Sequence, residues 1–205
     1  MLSAEGLSRV TIRRLAQELD TGAASRYVYV RNTAELHALI LDELLGEVDM
    51  SAVAAPGDWR ERLVTVLWSY TAVLLEHPGL AQSALVTRPS GPGYLRLLEG
   101  VLALLNAADL SAERAAWAVD LLLHFATSTA TEQGIRGQAI DAGDEEAQAA
   151  ATLLGVSADE YPHVAAIGAE LLSGEGPDRL TWGFNVLING VLETPRPAPV
   201  APPDH

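Results

Sequence analysis

Apolar side chains recur at helical spacing through most of this chain, and this periodicity constrains the fold more than any other feature of the sequence. Between Ala34 and Met50, one helical face carries Leu36, Leu39, Ile40, Leu44 and Val48. Similar faces predict further helices over Trp59–Leu75, Gly79–Val86, Tyr94–Ala107, Ser111–Thr131, Asp141–Leu154, Tyr161–Leu172 and Asp178–Glu193. Because no polar–apolar alternation of useful strand length occurs, we predict an all-α fold.

Stretches rich in glycine, proline or small polar residues separate these helices. We predict a short joint at Ser51–Asp58 and a loop at Thr87–Gly93, because proline and glycine disfavour a continuous helix. Glu132–Gly143 is expected to be less regular than its neighbours. Thr194–His205 holds five prolines and is predicted to be a disordered tail.

The segment from Val10 to Thr33 predicts two short helices set at an angle across a tight turn. In the first, Thr11–Leu19, the apolar residues form one stripe and leave Arg13 facing outward. Thr11 stands where a helix cap is expected, and its hydroxyl can meet an orphan amide or a phosphate. The turn contains Gly22, which tolerates a positive φ.

The second short helix, Ala23–Val30, has the composition of an element that enters a DNA groove. It begins with small residues, which would let the backbone approach a major groove about 12 Å wide. Tyr27 and Tyr29 follow on the same segment and can reach phosphate oxygens. We therefore interpret Val10–Thr33 as a candidate DNA-binding element.

The segment resembles the helix-turn-helix of TetR-family transcriptional regulators, whose pattern runs T-x-R-x-L-A-x-x-L, a turn, then small-S/T-x-Y-x-[HYF]-[VF]-x-[NS]-[KT]. The matching positions are Thr11, Arg13, Leu15, Ala16, Leu19, Ser25, Tyr27, Tyr29, Val30 and Asn32. The resemblance implies phosphate contacts from Thr11, Tyr27, Tyr29 and Thr33. It implies that Arg13, Ala23, Ala24 and Ser25 face base edges.

The chain departs from that pattern at three positions. Arg26 stands where the family has a buried leucine, Asp20 where it has glycine, and Thr33 where a lysine is common. Arg26 either extends its guanidinium toward DNA or weakens the packing of the small domain. The family's first helix would fall largely before Met1, so either the chain begins further upstream or this head is incomplete; we favour an upstream start.

The resemblance divides the chain into three parts. Residues 1–50 would form the helix-turn-helix domain with its connecting helix, and residues 51–193 a helical effector-binding and dimerisation domain. Residues 194–205 would be the proline-rich tail. We call residues 1–33 the head and residues 51–193 the body.

The charge distribution agrees with this division. The chain carries a formal charge of −14, yet Met1–Thr33 holds five arginines against three acidic residues, so the remainder carries −16. An acidic body behind a mildly basic head suits a protein that meets DNA only at one end. A cysteine-free chain without a signal-like or membrane-spanning apolar run is expected in the cytoplasm, with no membrane partner.

No catalytic or metal-binding motif stands out. The phosphate-binding, dinucleotide-binding, zinc-protease and serine-nucleophile patterns are missing, and the five histidines lack ligand spacing. The acid cluster at Asp144–Glu146 is better explained as a solvated helix start than as a metal site. We therefore expect neither an enzyme nor a metal or other cofactor.

Aromatic and polar residues among the apolar helices of the body suggest a cavity for a small hydrophobic molecule. The candidate lining residues are Trp68, Tyr70, Leu98, Trp117, His124, Phe125 and Thr131. Each could equally be ordinary core, and His124 could be a hydrogen-bonded core or interface residue.

Together these observations predict a ligand-responsive regulator, a repressor in preference to an activator, that binds a palindromic operator as a homodimer. Two-fold symmetry would let two heads bind half-sites about 34–36 Å apart. Asp178–Glu193 with part of Ser111–Thr131 is the candidate dimer interface. Two alternatives are a sensor or heterodimer partner with a degenerate head, and an all-α enzyme.

Overall fold

The computed structural model describes residues 33–86, 90–138 and 142–197, and all regular structure within these ranges is helical. The helices are α1 (Thr33–Leu45), α2 (Ser51–Ala54), α3 (Trp59–Glu76), α4 (Pro78–Val86), α5 (Pro92–Asn106), α6 (Ala112–Gln138), α7 (Ala142–Leu154), α8 (Pro162–Leu172) and α9 (Gly176–Glu193). The predicted all-α fold is confirmed.

Local sequence explains where these helices begin. The Asp58 carboxylate accepts hydrogen bonds from the backbone N–H groups of Arg60 and Glu61, at 2.9 and 3.3 Å, and so caps α3. Proline stands in the first turn of α5, α8 and α9, where its missing N–H costs no helical hydrogen bond.

The core of the body forms around α6, which packs along α3 and α4 and also contacts α5 and α9. The fully buried side chains at its centre include Leu63, Leu67, Leu74, Leu97, Leu122 and Phe184. Burying each such side chain contributes about 1.5–3 kcal/mol. The connecting helix α1 joins the same core through Leu41 and Leu45.

Three predictions for the chain between α1 and α5 are wrong. The helix predicted to reach Met50 ends at Leu45, where the backbone N–H of Gly46 donates to the carbonyl oxygens of Asp42 and Glu43 in a closing turn. The predicted joint then contains the one-turn helix α2, and α5 already begins at Pro92, inside the predicted loop.

The prediction that Glu132–Gly143 is irregular is wrong as far as Gln138, because α6 continues to that residue. Gly134 lies inside the helix against the start of α4; a β-carbon there would lie 2.9 Å from Cβ of Pro78. A salt bridge of 2.6 Å between Glu132 and Arg136 spans one turn of the same segment. Gly134 therefore serves close helix packing and does not end the helix.

The last part of the body is more open than its centre. Helices α7 and α8 pack mainly on each other, and α7 has only limited contact with α6. After α9 the chain leaves helical geometry at Thr194, and Pro197 is the last residue described. Residues 198–205 of the predicted tail lie outside the described residues.

Candidate functional site

A cavity of about 130 Å³ lies between the connecting helix and the body. Five helices line it: α1 through Leu41 and Leu45, α3 through Tyr70, α4 through Ala84 and Leu85, α5 through Tyr94, and α6 through Asp120, Leu123, His124 and Thr127. Five of its ten described lining residues are aliphatic, and the other five contribute two phenols, one hydroxyl, one carboxylate and one imidazole group. Such a mixed wall suits a molecule that has apolar surface and also makes several polar contacts.

The deepest polar group of the cavity is the Tyr70–Thr127 pair. The Tyr70 hydroxyl lies 2.7 Å from Thr127 Oγ1, which also lies 2.7 Å from the carbonyl oxygen of Leu123. Because a carbonyl can only accept, Thr127 donates to Leu123 and the Tyr70 hydroxyl donates to Thr127. The Tyr70 oxygen keeps its acceptor capacity for a bound molecule.

Burial also fixes the protonation state of Tyr70. Its side chain is 6% exposed, and the loss of hydration raises the pKa of its phenol to about 12. The neighbouring Tyr94 phenol adds to the rise, whereas the hydrogen bond to Thr127 opposes it. At neutral pH the residue is therefore a neutral phenol.

Two titratable groups of α6 line the same cavity where it meets solvent. Asp120 and His124 stand one helical turn apart, and both side chains are exposed. Nε2 of His124 lies 3.4 Å from the hydroxyl of Ser128, at the long limit for a hydrogen bond. The imidazole is thus only loosely held and can turn toward a molecule that enters.

Of the seven residues predicted to line a cavity, the structure places Tyr70 and His124 on this wall. Thr131 lies buried on α6, where its hydroxyl donates to the carbonyl oxygen of Thr127 at 2.8 Å. Leu98 packs, partly buried, against the core. These two contacts support the helices behind the cavity, and neither residue lines it.

The three remaining predicted residues contact α9 or lie on the outer side of α6. The indole N–H of Trp68 donates to Thr181 Oγ1 at 2.8 Å and so ties α3 to α9. Phe125 meets Phe184 edge-to-face, with ring centroids 5.4 Å apart. Trp117 is 53% exposed, and the Arg196 guanidinium lies 4.0 Å from the centroid of its ring.

Sequence reasoning missed most of the wall. Leu41, Leu45 and Leu123 follow the same helical pattern as ordinary core, so nothing marks them as cavity residues. Asp120 carries a usable signal, because it stands one turn before His124 on an otherwise apolar helix. Tyr94 lies in the first turn of α5. Its position on the cavity wall depends on the contact between α5 and α1, which the sequence does not reveal.

The predicted DNA-binding residues cannot be placed in the same way. Thr11, Arg13, Ala23, Ala24, Ser25, Tyr27 and Tyr29 lie outside the described residues. Thr33 is the first residue of α1, and its side chain also lies outside the description.

A second candidate surface is formed by α6 and α9, where large apolar side chains remain exposed. We call it the tryptophan face, and it consists of Trp117 and Leu121 on α6 with Trp182 and Val186 on α9. The two helices pack closely here: a β-carbon at Gly183 would lie 2.5 Å from the Phe125 ring. Trp182 is 70% exposed, which is costly for an indole unless another surface covers it.

Neither a cluster of metal ligands nor a membrane-spanning helix is found among the described residues. Among them, no three or more histidine, aspartate or glutamate side chains are grouped so that they could hold a metal ion. None of the helices α1 to α9 is both long and apolar enough to cross a membrane.

Comparison with known proteins points to one family. The family model described as "Tetracyclin repressor-like, C-terminal domain" matches residues 54–194. The transcriptional repressor DrrR1 of Streptomyces coeruleorubidus is 28% identical over 189 residues, which are 89% of this chain and 69% of that protein.

Solved structures show the same similarity. ActR from Streptomyces coelicolor, in complex with actinorhodin, gives a TM-score of 0.83 at 35% identity, covering 93% of this chain and 89% of that chain. A proposed transcription regulator from the same organism is 50% identical, with a TM-score of 0.79, and covers 97% of this chain and 92% of that chain.

Proposed function

Because this chain belongs to the tetracycline repressor-like (TetR) family of transcriptional regulators, we propose that it is a homodimeric repressor that leaves its operator when a small hydrophobic effector binds in the cavity. Family membership, predicted from the N-terminal motif, is confirmed. The residues proposed to contact the effector, the partner subunit and DNA are specific to this chain.

The observation that carries the proposal is the position of the connecting helix. Leu41 and Leu45 of α1 form part of the cavity wall, and α1 directly follows the head in the sequence. A molecule in the cavity therefore touches the same helix that orients the predicted DNA-binding element. Effector binding and head position are coupled because one rigid element takes part in both.

The size of the cavity supports a conformational response. Sites for drug-sized ligands span about 300–1,000 Å³, whereas this cavity measures about 130 Å³. A larger effector must push its helices apart, and α1 is one of them. The ligand-free form is then the compact state, and the bound form displaces α1.

The wall also narrows the chemistry of the effector. Apolar side chains favour a flat, mostly hydrophobic compound, and the Tyr70 oxygen can accept a hydrogen bond from a hydroxyl on it. The described lining residues include no arginine, and the chain has no lysine, so His124, where the cavity meets solvent, is the one described lining residue that can carry a positive charge. The complex of ActR with actinorhodin makes actinorhodin the first compound to test.

We assign the tryptophan face to the contact between the two subunits. A second copy placed by two-fold symmetry would bring α6 and α9 of both chains into a four-helix contact and cover the exposed indoles. The prediction from the sequence, Asp178–Glu193 with part of Ser111–Thr131, contains all four residues of this face.

The remaining elements of the proposal follow from the family. The relatives are transcriptional regulators, and a protein that acts on chromosomal DNA in this way works in the cytoplasm without enzymatic turnover. For DNA contact we retain Thr11, Arg13, Ala23, Ala24, Ser25, Tyr27, Tyr29 and Thr33 as predicted.

Filling the cavity tests the proposed effector site. Ala84 lies partly buried on the wall, so Ala84→Phe places a ring where the effector would sit. Ala103→Phe adds the same ring on the exposed side of α5 and is the matched control. By isothermal titration with actinorhodin we expect Ala84→Phe to bind about tenfold or more weakly than wild type.

The control should bind actinorhodin as wild type does, and both variants should keep the wild-type circular dichroism spectrum. Equal affinity of Ala84→Phe and wild type would refute the assignment of this cavity. If actinorhodin binds to none of the three proteins, compounds like actinorhodin are refuted as the effector class.

A further inference from the structure

The carboxylate of Asp42 joins the connecting helix to the helix that carries Tyr94. It is only 9% exposed, and it accepts hydrogen bonds from two backbone N–H groups of α5: Gly93 to Oδ2 at 3.2 Å and Tyr94 to Oδ1 at 2.9 Å. The first turn of a helix has amides without helical partners. Asp42 thus caps α5 from a different helix, since the residue at the cap position, Gly91, has no side chain to do so.

Two glycines make this approach possible. A β-carbon at Gly93 would lie 2.1 Å from the backbone oxygen of Asp42, and one at Gly91 would lie 2.1 Å from its Oδ2. Either distance is far shorter than a van der Waals contact. The close contact between α1 and α5 therefore depends on glycine at both positions.

In a second contact between the same two helices, α5 supplies the side chain and the end of α1 supplies the backbone groups. The Arg96 guanidinium of α5 donates to the carbonyl oxygens of Gly46 and Val48, just beyond the last turn of α1. The carboxylate thus meets the positive end of α5, and the guanidinium lies beside the negative end of α1. These charge-assisted bonds hold the two helices in a defined relative position.

This contact lies beside the cavity. Leu41 and Leu45 flank Asp42 on α1 and line the cavity, as does Tyr94, whose amide Asp42 holds. A molecule that displaces Tyr94 therefore moves the group to which α1 is tied.

We propose that Asp42 is a positioning residue that couples the cavity to the head. An effector that enlarges the cavity moves the first turn of α5, and α1 follows because the carboxylate keeps its two directional bonds. Without the carboxylate, α1 no longer follows α5, only the direct contact with Leu41 and Leu45 remains, and the effector changes the position of the head less. This inference rests on the proposed function, because it assumes that the cavity binds an effector.

The experiment measures the distance between the two connecting helices of the dimer. The chain has no cysteine, so Leu39→Cys, at a position that is 54% exposed on α1, gives one spin-label site per subunit. Pulsed electron resonance would record the distance distribution without and with actinorhodin. The test variants are Asp42→Ala and the isosteric Asp42→Asn. Glu43→Gln, exposed on the next residue, removes the same charge and is the control.

In the wild-type and Glu43→Gln backgrounds we expect one narrow distribution that shifts when actinorhodin binds. In Asp42→Ala it should be broad without ligand and should shift less when actinorhodin binds. Asp42→Asn should lie between the two, because one oxygen remains while an amide N–H faces a backbone donor. The effector's weakening of operator binding, about 5–150-fold in coupled systems, should be smaller in Asp42→Ala than in wild type.

The proposal is overturned if, without ligand, both Asp42 variants give the same distance distribution as wild type. This holds whether or not actinorhodin binds. Failure of actinorhodin to bind wild type would count against the proposed effector alone. If Asp42→Ala does not fold, Asp42→Asn and Gly93→Ala keep the test decisive. The β-carbon added by Gly93→Ala should push α1 away from α5 and broaden the same distance distribution.

Discussion

The cavity and the tryptophan face both use residues of α6 but differ in how their surfaces are satisfied. In the cavity, the Tyr70 and Thr127 hydroxyls are buried and hydrogen-bonded within the chain. On the tryptophan face, the indoles of Trp117 and Trp182 are 53% and 70% exposed. The cavity can therefore be complete in a single chain, whereas the tryptophan face needs a second surface to remove its apolar groups from water.

In the proposed function this difference would separate two roles of α6. The cavity would change shape with a small molecule, because its wall includes α1. The tryptophan face would stay fixed and set the positions of the two heads. Each change below acts on the cavity or on the tryptophan face and should leave the other intact.

The largest effect is expected on the tryptophan face. Trp182→Arg places a charge where the two-fold contact would bury an indole, and symmetry applies the change twice. We expect the free energy of dimerisation to fall by about 4 kcal/mol, or about a thousandfold in Kd. Analytical ultracentrifugation measures this directly.

Leu95→Arg is the control, because Leu95 is 57% exposed on α5, outside the tryptophan face. It should dimerise like wild type. A Trp182→Arg protein that dimerises as tightly as wild type would show that the indoles are covered by something other than a second copy.

A smaller effect is expected in the cavity at high pH. The folded-state pKa of Tyr70 is about 12, above its ordinary value of 10.0. The folded state thus holds the phenolic proton more tightly, so this contribution to stability is complete below pH 10 and is lost as the pH rises toward 12. Two units correspond to about 2–3 kcal/mol.

Urea unfolding of wild type and Tyr70→Phe at several pH values isolates the contribution of the Tyr70 phenol to the free energy of unfolding, because the other titrating groups are common to both proteins. The stability of wild type relative to Tyr70→Phe should fall by about 2 kcal/mol between pH 10 and 12. A constant difference would mean that water reaches the phenol in the folded state.

The helices were predictable because each buries one periodic face, and most predicted boundaries fall within a few residues of the observed ones. The error at the end of α6 came from Gly134, since a sequence does not distinguish a glycine that ends a helix from one that packs against Pro78. The contact of Asp42 with α5 was equally hidden, because it joins residues that are distant in the chain.

The candidate site was predictable only in part. Tyr70 and His124 were placed together because polar groups on apolar helices are uncommon. Trp117 and Phe125 were grouped with them, and the structure separates them from the cavity, because aromatic side chains suit a pocket, a core or an interface equally well. Only the arrangement of the helices distinguishes these environments.

The most direct test of the account is a fluorescence-anisotropy titration of a labelled DNA duplex, taken from upstream of the coding region, with wild-type protein. Saturating actinorhodin should weaken binding by about 5–150-fold, equal to 1–3 kcal/mol, while the protein remains dimeric. An operator affinity unchanged by bound actinorhodin would contradict the claim that the cavity controls the head.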